Sequence, residues 1–277
     1  MAVQQRRPSA LTWALAVVEL IAAAMVARLI FFSDQTAKSG HHDEGMPGMS
    51  AAGQPAVLAA HWGALEYTAL VASAAALIWW LLRRRPAPAL VAALAVTVLT
   101  ASPALRVLAT QSHLIAMVTL ELLLVVVPLL LLSARPAVPD TRVAGWGGGA
   151  TVLAVGAAVL YSALLIVVHL PAVHRRGAEL GAAPLWLTFA ALMIGIGYWF
   201  GVLRTAGRVP VRVRRAVLIG AQEVAAFIGL LSLFGAWGAM DHDSPLGLSA
   251  AWDQRLGGVF MLATCAAVAI PMVQRIK

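Results

Sequence analysis

A series of eight apolar segments, each about as long as a membrane-spanning helix, constrains this chain more than any other feature. A helix rises about 1.5 Å per residue, so roughly 20 apolar residues cross the hydrocarbon core of a bilayer. The segments are residues 10–32, 56–82, 88–108, 113–133, 149–170, 184–203, 216–237 and 256–274. They predict an all-α integral membrane protein, a bundle of about eight transmembrane helices.

The composition argues against a water-soluble protein. Hydrophobic residues make up 61% of the chain and charged residues only 12%, whereas soluble domains carry about 25% charged residues. The net charge of +8 could indicate nucleic-acid binding. The basic residues, however, lie in short clusters between the apolar segments, which is typical of membrane topology. We therefore expect the chain to lie in a lipid bilayer and not to bind nucleic acid.

The chain divides into two parts. Residues 1–55 hold the first span and a hydrophilic loop, and residues 56–277 form the remaining multispan bundle. Within the bundle, Pro103 follows Ser102 inside the third segment, and proline interrupts a helix. We expect this span to break before it reaches the outer surface.

The distribution of Lys and Arg predicts the orientation. Cytoplasmic loops of membrane proteins are enriched in these residues. If the amino terminus is cytoplasmic, fourteen of the 20 basic residues fall on the cytoplasmic side and six on the outer side. The six outer residues are Arg28, Lys38, Arg106, Arg175, Arg176 and Arg255. Both termini are therefore predicted to be cytoplasmic.

In this topology all seven histidines lie on the outer side. They are His41, His42, His61, His113, His169, His174 and His242. The loop at 41–49 contains His41, His42, Met46 and Met49. Imidazole together with thioether suits Cu(I), because soft sulfur selects a soft ion. The alternatives are a flexible linker and a general divalent-ion scavenger. Met240 and His242 repeat the pattern more weakly in the last outer loop.

A second candidate copper site lies within the membrane. His113 and Met117 are one helical turn apart, and His61 and His169 are expected at similar depth on other spans. These four side chains could converge in one pocket open to the outside. Alternatively, they are separate interfacial histidines that hydrogen-bond to neighbouring helices. They could also hold a single haem, since a b-type haem needs two facing histidines.

Other polar residues within the spans have less specific interpretations. Glu19, Glu66, Glu121 and Glu223 could form a proton path, although buried pairing is the more common role of such groups. Cys265 is expected to be a small buried hydrophobe. The sequence contains no Gly-rich phosphate loop, no HExxH and no nucleophile elbow. We do not expect an enzyme.

Three motifs occur in order along the chain. A Ser-Pro pair at Ser102 precedes the helix that carries His113, an HLP element begins at His169, and a DQxxGGxxM element runs from Asp253 to Met261. Together they resemble the CtaG family of cytochrome c oxidase assembly proteins over roughly residues 60–275. Met117 stands where the family typically has a second histidine, and no histidine occurs at 186–199. The chain would be a divergent member.

This resemblance implies a protein of the bacterial plasma membrane that delivers copper to cytochrome c oxidase. The loop would capture Cu(I) and pass it to the membrane pocket, and oxidase subunits or other copper-handling proteins would be the partners. Asp253 could cap its helix, and Gly257 and Gly258 would let helices approach closely. The alternatives are a copper transporter or resistance protein, and a redox membrane protein with one haem or a quinone.

Overall fold

The computed structural model describes residues 62–134, 147–205, 207–235 and 244–276. The predicted first span, the 41–49 loop, His61, Met240 and His242 lie outside the described residues. Throughout the described ranges the secondary structure is helical, with no strand. The helices are α1 (Ala64–Arg83), α2 (Pro86–Ala101), α3 (Pro103–Gln111), α4 (His113–Ala134), α5 (Gly147–His169), α6 (Pro171–Leu180), α7 (Leu185–Leu203), α8 (Val211–Leu233) and α9 (Ala250–Arg275).

Six of the described helices are long and apolar enough to cross a bilayer: α1, α4, α5, α7, α8 and α9. Helices α2 and α3 would make a seventh span, but they are bent by 62°. The break expected within the third predicted span, at Ser102 and Pro103, is confirmed. Pro103 starts α3, and Ser102 accepts a hydrogen bond from the Leu105 amide with its side chain. The described helices thus provide six or seven of the eight predicted spans.

The outer surface of the bundle is apolar. Large hydrophobic side chains are exposed along the helices, and they include Val71, Leu82, Leu94, Val152, Leu153, Val159, Met193 and Phe227. Such a surface would be unfavourable in water, whereas lipid tails solvate it without cost. The structure therefore agrees with a multi-pass membrane protein.

Helix α4 is the centre of the bundle. Within its most apolar 18 residues, 61% of the residues are buried, whereas the corresponding share is 22% in α1 and in α5. It packs against α2, α3, α7 and α9. A π-helical turn runs over Leu122–Val126, and the Trp199 indole N–H donates to the Leu124 carbonyl within it at 2.8 Å. The central helix is therefore not a regular α-helix throughout.

The two ends of the bundle differ in chemistry. At the end where α4 begins and α5 ends, which we call the histidine end, His113 and His169 are buried. At the opposite arginine end, guanidinium groups donate to carbonyls near helix carboxyl termini, where the helix dipole is negative. These bonds run from Arg204 to Leu132, from Arg214 to Val202 and from Arg215 to Ile276.

Helices α8 and α9 are packed closely through two glycines. A Cβ built on Gly258 would lie 2.5 Å from the Gly229 carbonyl oxygen and 2.8 Å from the Leu233 amide. The close helix approach expected at Gly258 is confirmed. The backbones themselves form this contact, so there is no flexible side chain that could move aside.

We expect Gly258→Ala to destabilise the bundle by about 1–3 kcal/mol, because the added methyl group must push two backbones apart. Thermal unfolding in detergent should show a clearly lower midpoint. Gly220→Ala, on α8, is the matched control, since its Cβ would meet no atom of the described residues within 4 Å. Equal midpoints for the two variants would contradict this description of the α8–α9 contact.

Candidate metal centre

Three of the predicted ligands meet at the histidine end. The Nε2 atom of His169 lies 3.0 Å from the Sδ atom of Met117. The rings of His113 and His169 have centroids 5.7 Å apart and are inclined at 74°. All three side chains are at most 6% exposed. The structure brings three of the four predicted residues together, His113, Met117 and His169, which we call the pocket; His61 lies outside the described residues, and metal binding stays a prediction.

Local sequence places each pocket residue. Ser112 caps α4 by accepting a hydrogen bond from the Ile115 amide at 3.2 Å, so the helix starts at His113. Met117 follows one turn later on the same face. His169 is the last residue of α5, and Pro171 starts α6 at once. The pocket is therefore formed where one spanning helix begins and another ends.

Hydrogen bonding orients the His169 ring. Its Nδ1 atom lies 2.6 Å from the Leu165 carbonyl oxygen, which can only accept, so Nδ1 carries a proton. Its Nε2 atom faces the Met117 sulfur, which is a weak hydrogen-bond acceptor and a soft metal ligand. When the ring is neutral, the lone pair is on Nε2, and in that state Nε2 and the sulfur are both available to one metal ion.

The distance between His169 Nε2 and Met117 Sδ is shorter than the distance between two ligands of one metal ion. Bond lengths of about 2.0 Å to nitrogen and 2.3 Å to sulfur place two ligands roughly 3.5 Å apart at a tetrahedral angle. The pair is observed at 3.0 Å, so the atoms must separate by about half an ångström. Methionine has three rotatable bonds and adapts easily. The residues therefore fit a small soft ion after a modest side-chain movement.

Asp253 fixes the position of His113. Its carboxylate accepts hydrogen bonds from the Ser112 hydroxyl at 2.7 Å, the His113 amide at 2.5 Å and the Ser244 hydroxyl at 3.1 Å. The side chain is only 2% exposed. The prediction that Asp253 caps its own helix is wrong: Ser249 is the N-cap of α9, and the Asp253 carboxylate instead accepts from the first amide of α4 and from Ser112, the N-cap of α4. A negative charge at a helix amino terminus is stabilised by the helix dipole.

Gly257, one turn beyond Asp253, makes room for the pocket. A Cβ at this position would lie 2.7 Å from Cδ2 of His113 and 3.4 Å from Cγ of Met117. The backbone of α9 therefore forms one wall of the pocket. Two positions of the DQxxGGxxM motif therefore contact the pocket: Asp253 accepts from the His113 amide, and Gly257 leaves space for the His113 ring.

We expect Gly257→Ala to displace the His113 ring and to weaken metal binding at least tenfold with moderate loss of stability. The methyl group would occupy space that the ring now fills. Equilibrium Cu(I) competition against a colorimetric chelator measures the affinity, with Gly220→Ala as the control. Unchanged affinity in Gly257→Ala would show that the ring position does not matter for binding.

Two short helices flank the pocket. Helix α3 ends just before His113, and α6 begins just after His169. Arg106 of α3 is joined to Ala183 in both directions: its Nε donates to the Ala183 carbonyl at 2.6 Å, and its own carbonyl accepts from the Ala183 amide at 3.0 Å. Arg106 therefore holds the α6–α7 connection against α3.

The acidic residues and the donor set limit the chemistry. Glu66 accepts a hydrogen bond from the Gly63 amide and caps α1. This contact gives a structural role to one of the four glutamates that were predicted to lie within the spans. In the described part of the chain, no three His, Cys, Asp or Glu side chains cluster as a metal site. A metal centre at the pocket thus depends on the Met117 sulfur in addition to the two imidazoles.

Comparisons with protein-family models, with curated proteins and with solved structures find no match to this chain. The resemblance to the CtaG family therefore stays a prediction that rests on its motif residues. The fold and the pocket have to be interpreted from their own chemistry.

Proposed function

We propose that this protein binds Cu(I) in the pocket of His113, Met117 and His169 and delivers copper for the assembly of cytochrome c oxidase. The observation that carries the proposal is the contact between His169 Nε2 and Met117 Sδ, two buried atoms of the types that ligate Cu(I). The protein would act as a divergent CtaG-type assembly factor rather than as an enzyme.

The donor types favour copper over the common hard ions. Thioether and imidazole ligands suit Cu(I), whereas Ca²⁺ and Mg²⁺ require about six or more oxygen ligands. None of the three pocket side chains offers an oxygen. The nearby Asp253 carboxylate is engaged by three hydrogen bonds that hold α4 in place. A monovalent soft ion is therefore the occupant that the pocket suits best.

The orientation supports delivery on the outer side of the plasma membrane. The arginine end would face the cytoplasm, with both termini, according to the positive-inside rule. The histidine end and its pocket would then open outward. The loop with His41, His42, Met46 and Met49 would capture Cu(I), with His61, Met240 and His242 as further ligands along its route. Copper would reach oxidase subunits by ligand exchange.

Deleting the gene in its bacterium tests this function. We expect oxidase subunits to be present but poor in copper, while total cell copper stays normal. The wild-type gene should restore the oxidase, and a His169→Ala gene should not. A change in total copper with a normal oxidase would instead indicate a copper transporter. A haem absorption band in the purified protein would indicate the redox alternative.

A further inference from the structure

Three consecutive arginines form the turn between α1 and α2 at the arginine end of the bundle. Arg83 is the last residue of α1, Arg84 follows it, and Arg85 is the N-cap of α2. All three side chains are exposed. Other arginines at this end donate to helix carbonyl groups, whereas these three form no side-chain hydrogen bond to another described residue. We call them the arginine turn.

An aromatic ring holds the central arginine in place. The Cζ atom of Arg84 lies 4.7 Å from the centroid of the Trp80 ring, which is within the range of a cation–π interaction. Its backbone φ of 51° lies in the left-handed region, where glycine is the usual residue at a helix end. Stacking uses the face of the guanidinium group. The N–H donors in its plane are thus available, and they can bind a phosphate group with two parallel hydrogen bonds.

The length of α1 sets the depth of the arginine turn in the membrane. The helix has 20 residues, Ala64–Arg83, and rises about 30 Å, which matches the thickness of the hydrocarbon core. The arginine turn therefore lies at the level of the lipid headgroups. Trp79 and Trp80 lie one turn deeper, in the zone where tryptophan is enriched in membrane proteins. Lipid phosphates are the anions that this depth brings closest to the three arginines.

An apolar surface continues from the arginine turn toward the middle of the bilayer. Ile78, Trp79 and Leu82 of α1 are exposed, and so are Leu90 and Leu94 of α2, which packs against α1. Lipid acyl chains can cover such a surface, whereas a soluble anion or an acidic peptide could contact only the charged turn. The combination of charge and apolar surface therefore favours a lipid as the ligand.

No acidic side chain of the described residues balances the charge of the arginine turn. The dipoles of α1 and α2 largely cancel there, because the negative carboxyl end of one helix meets the positive amino end of the other. The acids lie elsewhere: Glu66, Glu179 and Asp253 at the histidine end, and Glu121 and Glu223 near the middle of α4 and α8. The three positive charges therefore need an anion from outside the described part of the chain.

We propose that the arginine turn, with Trp80, binds the phosphate-containing headgroup of an anionic phospholipid. The acyl chains of this lipid lie against Trp79 and Leu82. A headgroup with a net negative charge is preferred to a zwitterionic one, because its phosphate has no ammonium partner of its own. The bound lipid joins the ends of α1 and α2. This site is separate from the copper pocket and does not depend on the proposed function.

Lipid titration of the detergent-purified full chain tests the site. Phosphatidylglycerol and phosphatidylcholine with the same acyl chains are added to separate samples. Native mass spectrometry counts the bound lipid, and the thermal unfolding midpoint is recorded. We expect phosphatidylglycerol to stay bound and to raise the midpoint, and phosphatidylcholine or inorganic phosphate to do neither. Replacing Arg83, Arg84 and Arg85 together with glutamine should weaken phosphatidylglycerol binding at least about tenfold, since each arginine near a membrane surface adds to the attraction of anionic lipid.

The matched control removes the same charge from the same end of the bundle. Arg208, Arg212 and Arg275 are exposed on α8, on α9 and in the connection before α8, and replacing all three with glutamine should leave the lipid affinity unchanged. An equal loss of affinity in the two triple variants would overturn the inference. Equal stabilisation of the wild type by phosphatidylcholine or by inorganic phosphate would do the same, as would polyglutamate that displaces the lipid. The wild-type comparison needs no variant, so it is decisive even if a variant fails to fold.

Discussion

Replacing Asp253 with alanine should both destabilise the bundle and abolish high-affinity copper binding. The carboxylate joins α9 to the start of α4 through three hydrogen bonds in a dry environment. Hydrogen bonds to a charged group contribute about 1.5–3 kcal/mol each, and the unsatisfied partners add a penalty. We expect a loss of at least about 3 kcal/mol, measured as a lower unfolding midpoint in detergent together with loss of Cu(I) binding.

Two further variants separate the causes of this effect. Asp253→Asn keeps one acceptor oxygen but places an amide against a donor, so it should fall between the wild type and Asp253→Ala. Glu179→Ala removes an exposed acid on α6 and should change neither property. A fully stable, copper-binding Asp253→Ala protein would contradict the role assigned to this carboxylate.

Removing the soft ligand from the pocket should have the second large effect. Met117→Leu conserves volume and normally costs less than about 1.5 kcal/mol of stability, but it deletes the sulfur that faces His169. His169→Ala deletes the opposing nitrogen. Loss of groups that only orient ligands costs 10–100-fold in metal affinity, so we expect at least about 100-fold for each of these variants. Chelator competition with Cu(I) measures the change.

The matched control for the sulfur is Met193→Leu. Met193 is exposed on the lipid-facing surface of α7, so its replacement should leave copper affinity unchanged. The measurements should be made with His41, His42, Met46 and Met49 replaced by alanine, because the loop would otherwise mask a change at the pocket. Equal affinities for Met117→Leu and Met193→Leu would rule out Met117 as a ligand.

The sequence predicts local features of this protein well. Apolar length locates the spanning helices, because a bilayer imposes one helix length on all of them. Ser102 and Pro103 predict the break between α2 and α3, since proline removes a donor and serine caps the next helix. The four-residue spacing of His113 and Met117 places both on one face of α4. These features depend only on residues that are close in sequence.

Features that depend on distant residues are not accessible in this way. Asp253 is 140 residues from His113, and only the packing of α9 on α4 shows that its carboxylate accepts from the start of α4 and not from its own helix. The π-helical turn after Glu121 cannot be predicted from the sequence either, because its residues are Leu and Val, which also occur in regular α-helices.

X-ray absorption at the copper edge tests the central claim most directly. The sample is the Cu(I)-loaded protein with Cys265→Ala and with the four loop ligands replaced by alanine, so that neither supplies ligands. We expect nitrogen neighbours at about 2.0 Å and a sulfur neighbour at about 2.3 Å, with the sulfur signal absent after Met117→Leu. A copper ion without sulfur, or a sulfur signal that survives Met117→Leu, would contradict copper binding by Met117 in the pocket.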